Sequence, residues 1–69
     1  MPPAVARSLG DLVYHLRRES GLTQRDVARL CGLNRQRISD IETDRPRGPV
    51  PVERLARIFH VPVSTFGDS

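Results

Sequence analysis

The side chains best suited to specific chemistry stand together as Arg35-Gln36-Arg37. A guanidinium donates two parallel hydrogen bonds to a phosphate or to the O6 and N7 atoms of guanine. A carboxamide donates and accepts at once, as the N6 and N7 atoms of adenine require. The triplet is therefore suited to contacting a nucleic acid, provided that a rigid and exposed element carries it.

Catalytic chemistry has little support in the sequence. His15 and His60 are isolated, and Cys31 has no partner at a metal-ligand spacing such as Cys-x-x-Cys. The carboxylates are dispersed next to arginines, as on solvated helix faces, and no glycine-rich phosphate loop is present. We expect no enzyme, no metal and no cofactor, and we expect Cys31 to be a core residue.

Two short helices are predicted in this region, and the second of them carries the triplet. Thr23 can cap the first, and Asp26 three residues later completes a capping box, while Asn34 can cap the second. Gly32 lies between them and can adopt the positive φ that a sharp turn needs. The pattern predicts helices over roughly 24–31 and 35–43, which together form a helix-turn-helix.

The two helices are predicted to cross and pack on each other. Ala28 falls on the inner side of the first helix, where a larger side chain would displace the second. Leu22 with Val27, and Leu33 with Ile38, have the spacing of hydrophobic staples. The expected apolar seam consists of Val27, Leu30, Cys31, Leu33, Ile38 and Ile41.

The remaining chain predicts three further elements. An amphipathic helix begins at Ser8 and ends at Ser20-Gly21, although Gly10 weakens it slightly. The segment 44–50 contains two prolines and a glycine, so it is expected to be an exposed loop. A fourth helix has Pro51 in its first turn and ends at His60, and a last short turn covers 63–66. We expect a flexible arm over 1–7, one domain over 8–66 with the motif at 23–43, and a tail over 67–69.

Bulk composition narrows the class of protein. The chain has 69 residues and a net charge of +3, and all eleven of its cationic residues are arginine. Residues 23–48 carry +2 of that charge, a mild excess that does not by itself identify a nucleic-acid binder. A single cysteine excludes an internal disulfide, and no apolar run approaches the roughly 20 residues of a membrane span. We expect a cytoplasmic protein without a membrane partner or an evident small-molecule ligand.

Taken together, these motifs resemble the family of the phage Cro and C1 repressors, also called the XRE family. The resemblance covers nearly the whole chain and implies an all-α, five-helix, lambda-repressor-like domain that binds double-stranded DNA. The residues that carry it are Leu12, Leu16, Arg17, Gly21, Leu22, Thr23, Gln24, Ala28, Gly32, Leu33, Ile38, Ser39, Glu42, Leu55, Ala56, Arg57, Ile58, Phe59 and Val61.

The second motif helix is expected to present its outer face to the major groove. Gln36 is the leading base reader, and the expected base-contacting residues are Gln36, Arg35, Arg37, Ser39 and Asp40. Asp40 has an equal alternative as an ion-pair partner of Arg37 or Arg35. The residues expected to contact the DNA backbone, with Gln24 assigned by the resemblance, are Gln24, Arg25, Thr43, Arg45, Arg47 and Arg17. By the same resemblance, Glu42 supports the fold.

The sequence departs from the family pattern at Pro49-Val50-Pro51, which offers no side-chain cap for the fourth helix. Some relatives place at the Val50 position a basic residue that enters the minor groove. The apolar Val50 puts minor-groove reading in doubt.

We expect a repressor that binds a two-fold operator as a homodimer, at least on DNA, because one small module contacts too few bases for useful discrimination. The predicted dimer interface contains Val61, Pro62, Val63 and Phe66. If Phe66 instead packs into its own core, a monomer is expected without DNA. The alternative is an antitoxin or adaptor whose main partner is a protein, and the near absence of sequence after Phe66 counts against it.

Overall fold

The computed structural model describes residues 8–67, which form four α-helices and a final 3-10 turn. The helices are α1 (Leu9–Glu19), α2 (Gln24–Cys31), α3 (Arg35–Glu42) and α4 (Val52–Phe59), and the 3-10 turn is Val63–Phe66. No strand occurs within this described range. The predicted all-α class is therefore confirmed, with the fifth helix reduced to one turn. The predicted arm over 1–7 and the last two tail residues lie outside the described residues.

Three of the four helices begin at a side-chain cap. The Ser8 hydroxyl accepts the Asp11 N–H at 3.1 Å, and the Asn34 side chain accepts the Arg37 N–H at 2.9 Å. Thr23 and Asp26 form the predicted capping box, with reciprocal side-chain to backbone hydrogen bonds of 3.0 Å each. These caps satisfy amide groups that have no carbonyl partner inside their helix, so they fix where each helix begins.

Helix α4 begins without a side-chain cap, as its sequence predicts. Pro51 lies just before the helix and not in its first turn, with φ −78° and ψ 69°. The Val50 carbonyl accepts the Val52 N–H at 2.8 Å, which together with these angles defines an inverse γ-turn. The fixed φ of proline supports this turn. The Val50 carbonyl thus takes the place of a capping side chain for the Val52 N–H.

Each α-helix is followed by a residue in the left-handed conformation, namely Gly21, Gly32, Asp44 and His60. After α3, the Asp44 N–H donates to Ile41 and the Arg45 N–H donates to Asp40, at 3.1 Å and 2.8 Å. This pair of hydrogen bonds is a Schellman motif, and α1, α2 and α4 end with the same pattern. Asp44 and His60 hold this conformation without being glycine, which Asp and His tolerate better than most residues.

The core lies between the four helices and is built mainly from aliphatic side chains, together with Phe59. Its buried members are Val13, Val27, Ala28, Cys31, Ile38, Ile41, Leu55 and Phe59. The seam predicted between α2 and α3 is correct except at Leu30, which is 58% exposed. The buried face of α2 is centred between Val27, Ala28 and Cys31, and at about 100° per residue Leu30 lies about 100° away from that centre.

Gly10 packs directly against the backbone at the end of α3. A Cβ atom at Gly10 would lie 2.5 Å from the Ile41 carbonyl oxygen and 2.7 Å from that of Glu42. The Gly10 N–H also donates to the Asp44 carboxylate at 3.0 Å. The sequence suggested only that this glycine weakens α1. Its absent side chain instead lets two segments 34 residues apart meet.

We expect Gly10→Ala to lower the free energy of unfolding by about 1 to 3 kcal/mol, because the new methyl group overpacks against two carbonyl oxygens. Helix propensity alone predicts the opposite sign, since alanine is favoured over glycine by about 1 kcal/mol. Urea unfolding measures the difference, with Glu19→Ala, an exposed change in the same helix, as the matched control. A more stable Gly10→Ala protein would contradict this close approach.

The capping box predicts a dependence of stability on pH. The Thr23 backbone N–H, bound to the Asp26 carboxylate, holds the pKa of Asp26 below its ordinary value of 3.8. The resulting stabilisation is present above that value and is lost as pH falls through the lower pKa of the folded protein. We therefore expect Asp26→Asn to lose less stability than the parent chain between about pH 6 and pH 2, measured by urea unfolding. Identical pH dependences would show that this carboxylate does not stabilise α2.

Candidate nucleic-acid interface

Helix α3 is fixed on one side and open on the other. Ile38 and Ile41 are buried in the core, at 0% and 3% exposure. Arg35 and Gln36 are exposed in the first turn, and Thr43 is exposed just beyond the last turn. Ser39 and Asp40 lie between these extremes and are partly buried. The expected outer face is thus present, with its most accessible functional groups at the N-terminal end of the helix.

The Gln36 carboxamide is held by its own helix. Its Nε2 donates to Asp40 Oδ1 at 3.0 Å, one turn further along α3. This bond uses one of the two Nε2 hydrogens and neither lone pair of Oε1. A donor and an acceptor therefore remain, and the bond to Asp40 determines which end of the amide is the donor.

Asp40 also forms an ion pair, but its partner is not among those predicted. Arg47 Nε lies 3.5 Å from Asp40 Oδ2, whereas the alternative from sequence named Arg37 or Arg35. This oxygen is buried and has no hydrogen-bond partner within the described residues, so the contact with Arg47 is electrostatic. The Asp40 side chain is only 14% exposed. Its carboxylate thus connects α3 to the loop that follows it.

The structure corrects the phosphate contact predicted for Arg17. Its Nε and Nη2 donate to the two Glu42 carboxylate oxygens at 2.6 Å and 3.3 Å, and its Nη1 donates to the Leu22 carbonyl at 3.0 Å. The two side chains are 10% and 5% exposed. Arg17 follows Gly10 and Val13 along the buried line of α1, so its guanidinium faces the interior. The predicted supporting role of Glu42 is confirmed.

Gln24 connects this buried ion pair to the surface. Its Nε2 donates to Glu42 Oε1 at 3.0 Å, and its Oε1 accepts from Arg35 Nη1 at 3.2 Å. The chain of hydrogen bonds therefore runs from Arg17 through Glu42 and Gln24 to Arg35. These two bonds use one Nε2 hydrogen and one Oε1 lone pair of Gln24, so its second Nε2 hydrogen remains for the predicted phosphate contact.

A cationic cleft of about 680 Å³ opens at the start of α2. Arg18, Arg25 and Arg35 contribute to its lining, beside Thr23 and Gln24, and no carboxylate contributes. Arg18 was not among the predicted contact residues. Its Nη1 donates to the Tyr14 hydroxyl at 3.4 Å, and its guanidinium lies over the Tyr14 ring. The dipeptide Arg17-Arg18 could have indicated it, since an inward Arg17 turns its neighbour outward by about 100°.

A second group of arginines lies on the other side of α3. Arg45 and Arg47 are exposed in the loop, as predicted. Arg37 is half-buried and turned towards the same loop, with its Nη2 3.2 Å from the position of a Cβ on Gly48. We call Arg37, Arg45 and Arg47 the loop arginines. Nearby, the Thr43 hydroxyl donates to the Ser39 and Asp40 carbonyls at 3.1 Å each, so its hydrogen is already used within the helix.

The predicted dimer surface is only half exposed. Val61 and Phe66 pack against the core, which corrects their assignment as exposed apolar residues. The short 3-10 turn directs Phe66 back towards the domain. Pro62 is exposed and Val63 is 46% exposed, so these two remain accessible. Val50, the position at which the sequence put minor-groove reading in doubt, is partly buried against the core.

Cys31 is a core residue, as predicted, with 1% of its surface exposed. Burial raises the pKa of its thiol above the ordinary value, which disfavours the reactive thiolate. No group of three metal-ligating side chains is found in the described part of the chain. Within the same residues, no helix is long and apolar enough to cross a membrane.

We expect Glu42→Gln to lower the free energy of unfolding by about 3 to 5 kcal/mol, because Arg17 would keep a buried charge without its counter-charge. Thermal or urea unfolding measures the loss. Glu53→Gln is the matched control, since Glu53 is exposed on α4 and forms no ion pair with a described residue. Equal stability of the two variants would contradict the central place of this ion pair.

Comparison with known proteins agrees with this geometry. A family model described as a helix-turn-helix domain matches residues 8–65, which include all four helices and most of the 3-10 turn. No match is found among curated proteins. The match covers most of the chain and is consistent with the resemblance to the Cro and C1 repressors. The chain therefore belongs to the helix-turn-helix domain family.

Proposed function

We propose that this protein is a sequence-specific regulator that binds double-stranded DNA through the N-terminal part of α3. One observation carries the proposal: Arg35 and Gln36 are exposed on a helix whose opposite side is fixed in the core by Ile38 and Ile41. A recognition helix needs this combination, since its first turn meets base edges while its other side holds the orientation. The helix-turn-helix family supports the same conclusion.

Gln36 is our leading base reader, with adenine as its preferred base. Its free N–H can donate to N7 while its Oε1 accepts from the N6 amino group. Asp40 contributes by positioning this amide, because its hydrogen bond at 3.0 Å opposes a flip that would exchange donor and acceptor. This role replaces the direct base contact that we predicted for Asp40. Arg35, held through Gln24, is suited to guanine, and Ser39 remains a secondary candidate.

The two groups of arginines on either side of α3 are suited to the phosphate backbone. Arg18 and Arg25 line the cleft at the start of α2, where the helix dipole also favours an anion. The loop arginines lie beyond the other side, with the half-buried Arg37 better suited to phosphate than to a base. Gln24 keeps one N–H for such a contact, whereas Thr43 remains a candidate only if its hydroxyl exchanges its present hydrogen bonds. These contacts supply affinity and orientation without reading sequence.

We further propose a Cro-like, lambda-repressor-like mode of action, in which two copies occupy a two-fold operator and cover a promoter. Half-sites about 34 Å apart would place both α3 helices on one face of the duplex. Pro62 and Val63 are the remaining exposed candidates for the contact between copies. With Phe66 on its own core, we expect the free protein to be a monomer that dimerises on DNA.

The experiment begins with selection of binding sites from a random oligonucleotide pool, followed by fluorescence anisotropy on the selected and random duplexes across salt concentrations. We expect a linear loss of log affinity with log salt, because phosphate contacts release counterions. A slope near zero would favour the alternative class, an antitoxin or adaptor whose main partner is a protein.

Two variants separate base reading from backbone contact. Gln36→Ala should cost about 1 to 3 kcal/mol at one base pair and relax the preference there. Arg45→Ala should weaken all sequences alike and reduce the salt slope by about 1. We prefer Arg45 to Arg47 for this test because Arg47 contacts Asp40 and could disturb Gln36 indirectly. Arg57→Ala, an exposed change on α4, is the control. Equal losses on selected and random DNA would exclude Gln36 as a reader.

A further inference from the structure

An apolar groove lies between α2, α4 and the turn that follows α1. Its volume is about 680 Å³, and Leu22, Leu30 and Ile58 supply its apolar surface. Leu22 and Ile58 are partly buried, while Leu30 is 58% exposed and is the most exposed large apolar side chain among residues 8–67. Single exposed apolar residues are ordinary, but a contiguous set around a groove marks an interaction surface.

The proposed DNA interface does not account for this groove. No residue of α3 and no loop arginine lines it. Leu30 also makes no contribution to the buried core, although its neighbours Val27, Ala28 and Cys31 all do. Because neither the core nor the proposed DNA interface uses this contiguous apolar surface, it is available to a separate partner.

The charges around the groove indicate the chemistry of that partner. Arg54, Arg57 and His60 are its only titratable lining residues, and no carboxylate lines it. Arg54 is held in place because its Nη1 donates to the Cys31 carbonyl at 2.6 Å. Arg57 is exposed and forms no ion pair with a described residue. A partner that is complementary to this groove would therefore present an apolar surface bordered by negative charge.

We propose that this groove docks an acidic amphipathic helix of a partner protein. The helix would pack its apolar stripe around Leu30 and place carboxylates beside Arg54 and Arg57. A projecting Leu30 favours this occupant over a small ligand, because an outward side chain inserts between the residues of a facing helix and does not enclose a ligand. This inference does not depend on DNA binding, since this groove and the cationic cleft share only Leu22 among their lining residues and no arginine.

The test uses a fluorescein-labelled helical peptide of about 18 residues, with leucines at i, i+3, i+4 and i+7 and glutamates beside them. A matched peptide has lysine in place of every glutamate. Anisotropy titration should give saturable binding of the acidic peptide and at least about tenfold weaker binding of the lysine peptide, a ratio that corresponds to about 1.4 kcal/mol.

Protein variants then locate the site. Leu30→Ser and Arg57→Glu should each weaken the acidic peptide about tenfold, a loss of about 1.4 kcal/mol. Val63→Ser and Arg25→Glu are the matched controls, exposed residues of the same types outside the groove, and they should leave binding unchanged. Leu30→Ser should remain folded, as circular dichroism will check, because the side chain is mostly in water.

Several results would overturn the proposal. These are equal binding of the two peptides, no saturable binding of the acidic peptide, or an equal effect of Arg25→Glu and Arg57→Glu, which would indicate general attraction to arginines. Self-association in sedimentation that Leu30→Ser abolishes would assign the groove to a second copy of this chain. Displacement of the peptide by dodecanoate at equal concentration would assign it to small amphiphilic acids.

Discussion

The buried ion pair between Arg17 and Glu42 is the interaction on which the other features depend. It joins the end of α1 to the last residue of α3, and its further hydrogen bonds to Leu22 and Gln24 include the turn and the start of α2. A pair that is almost removed from water must be matched closely in geometry, because desolvation of both charges offsets much of their attraction. The bidentate contact and the extra partners meet this requirement. As a result, contacts on the side that faces the domain interior fix the position of α3, and the opposite side of the helix stays open to solvent.

The second constraint is the shortness of the helices. Three of the four contain only 8 residues, so a large share of their backbone groups has no partner inside the helix. Capping side chains at the starts and Schellman motifs at the ends satisfy these groups locally. Because these groups are satisfied locally, the small core does not have to supply polar partners and can consist of apolar side chains. The surface then keeps its arginines available.

The sequence predicts those features whose partners are close along the chain. The Thr23–Asp26 capping box, the Asn34 cap, the Gly32 turn and the inward Ala28 depend on residues within a few positions of one another. The features that it missed depend on distant partners. Gly10 meets Asp44 across 34 residues, and Arg17 meets Glu42 across 25. Helical spacing places Arg17 on the buried side of α1 and Arg18 in solvent, but only the distant partner Glu42 accounts for a buried charge there. The prediction for Leu30 was wrong for another reason: this residue lies about 100° around α2 from the centre of the face formed by Val27, Ala28 and Cys31.

The contact between Arg47 and Asp40 has a consequence for how binding preference could change during evolution. If Gln36 reads a base as proposed, the Asp40 carboxylate orients its amide, and Arg47 in the following loop partly neutralises the charge of that carboxylate. Replacement of Arg47 could then alter the preferred nucleotide while every residue of α3 stayed the same. Two homologues with identical recognition helices would not necessarily share an operator, and a code inferred from those eight positions alone would group them incorrectly.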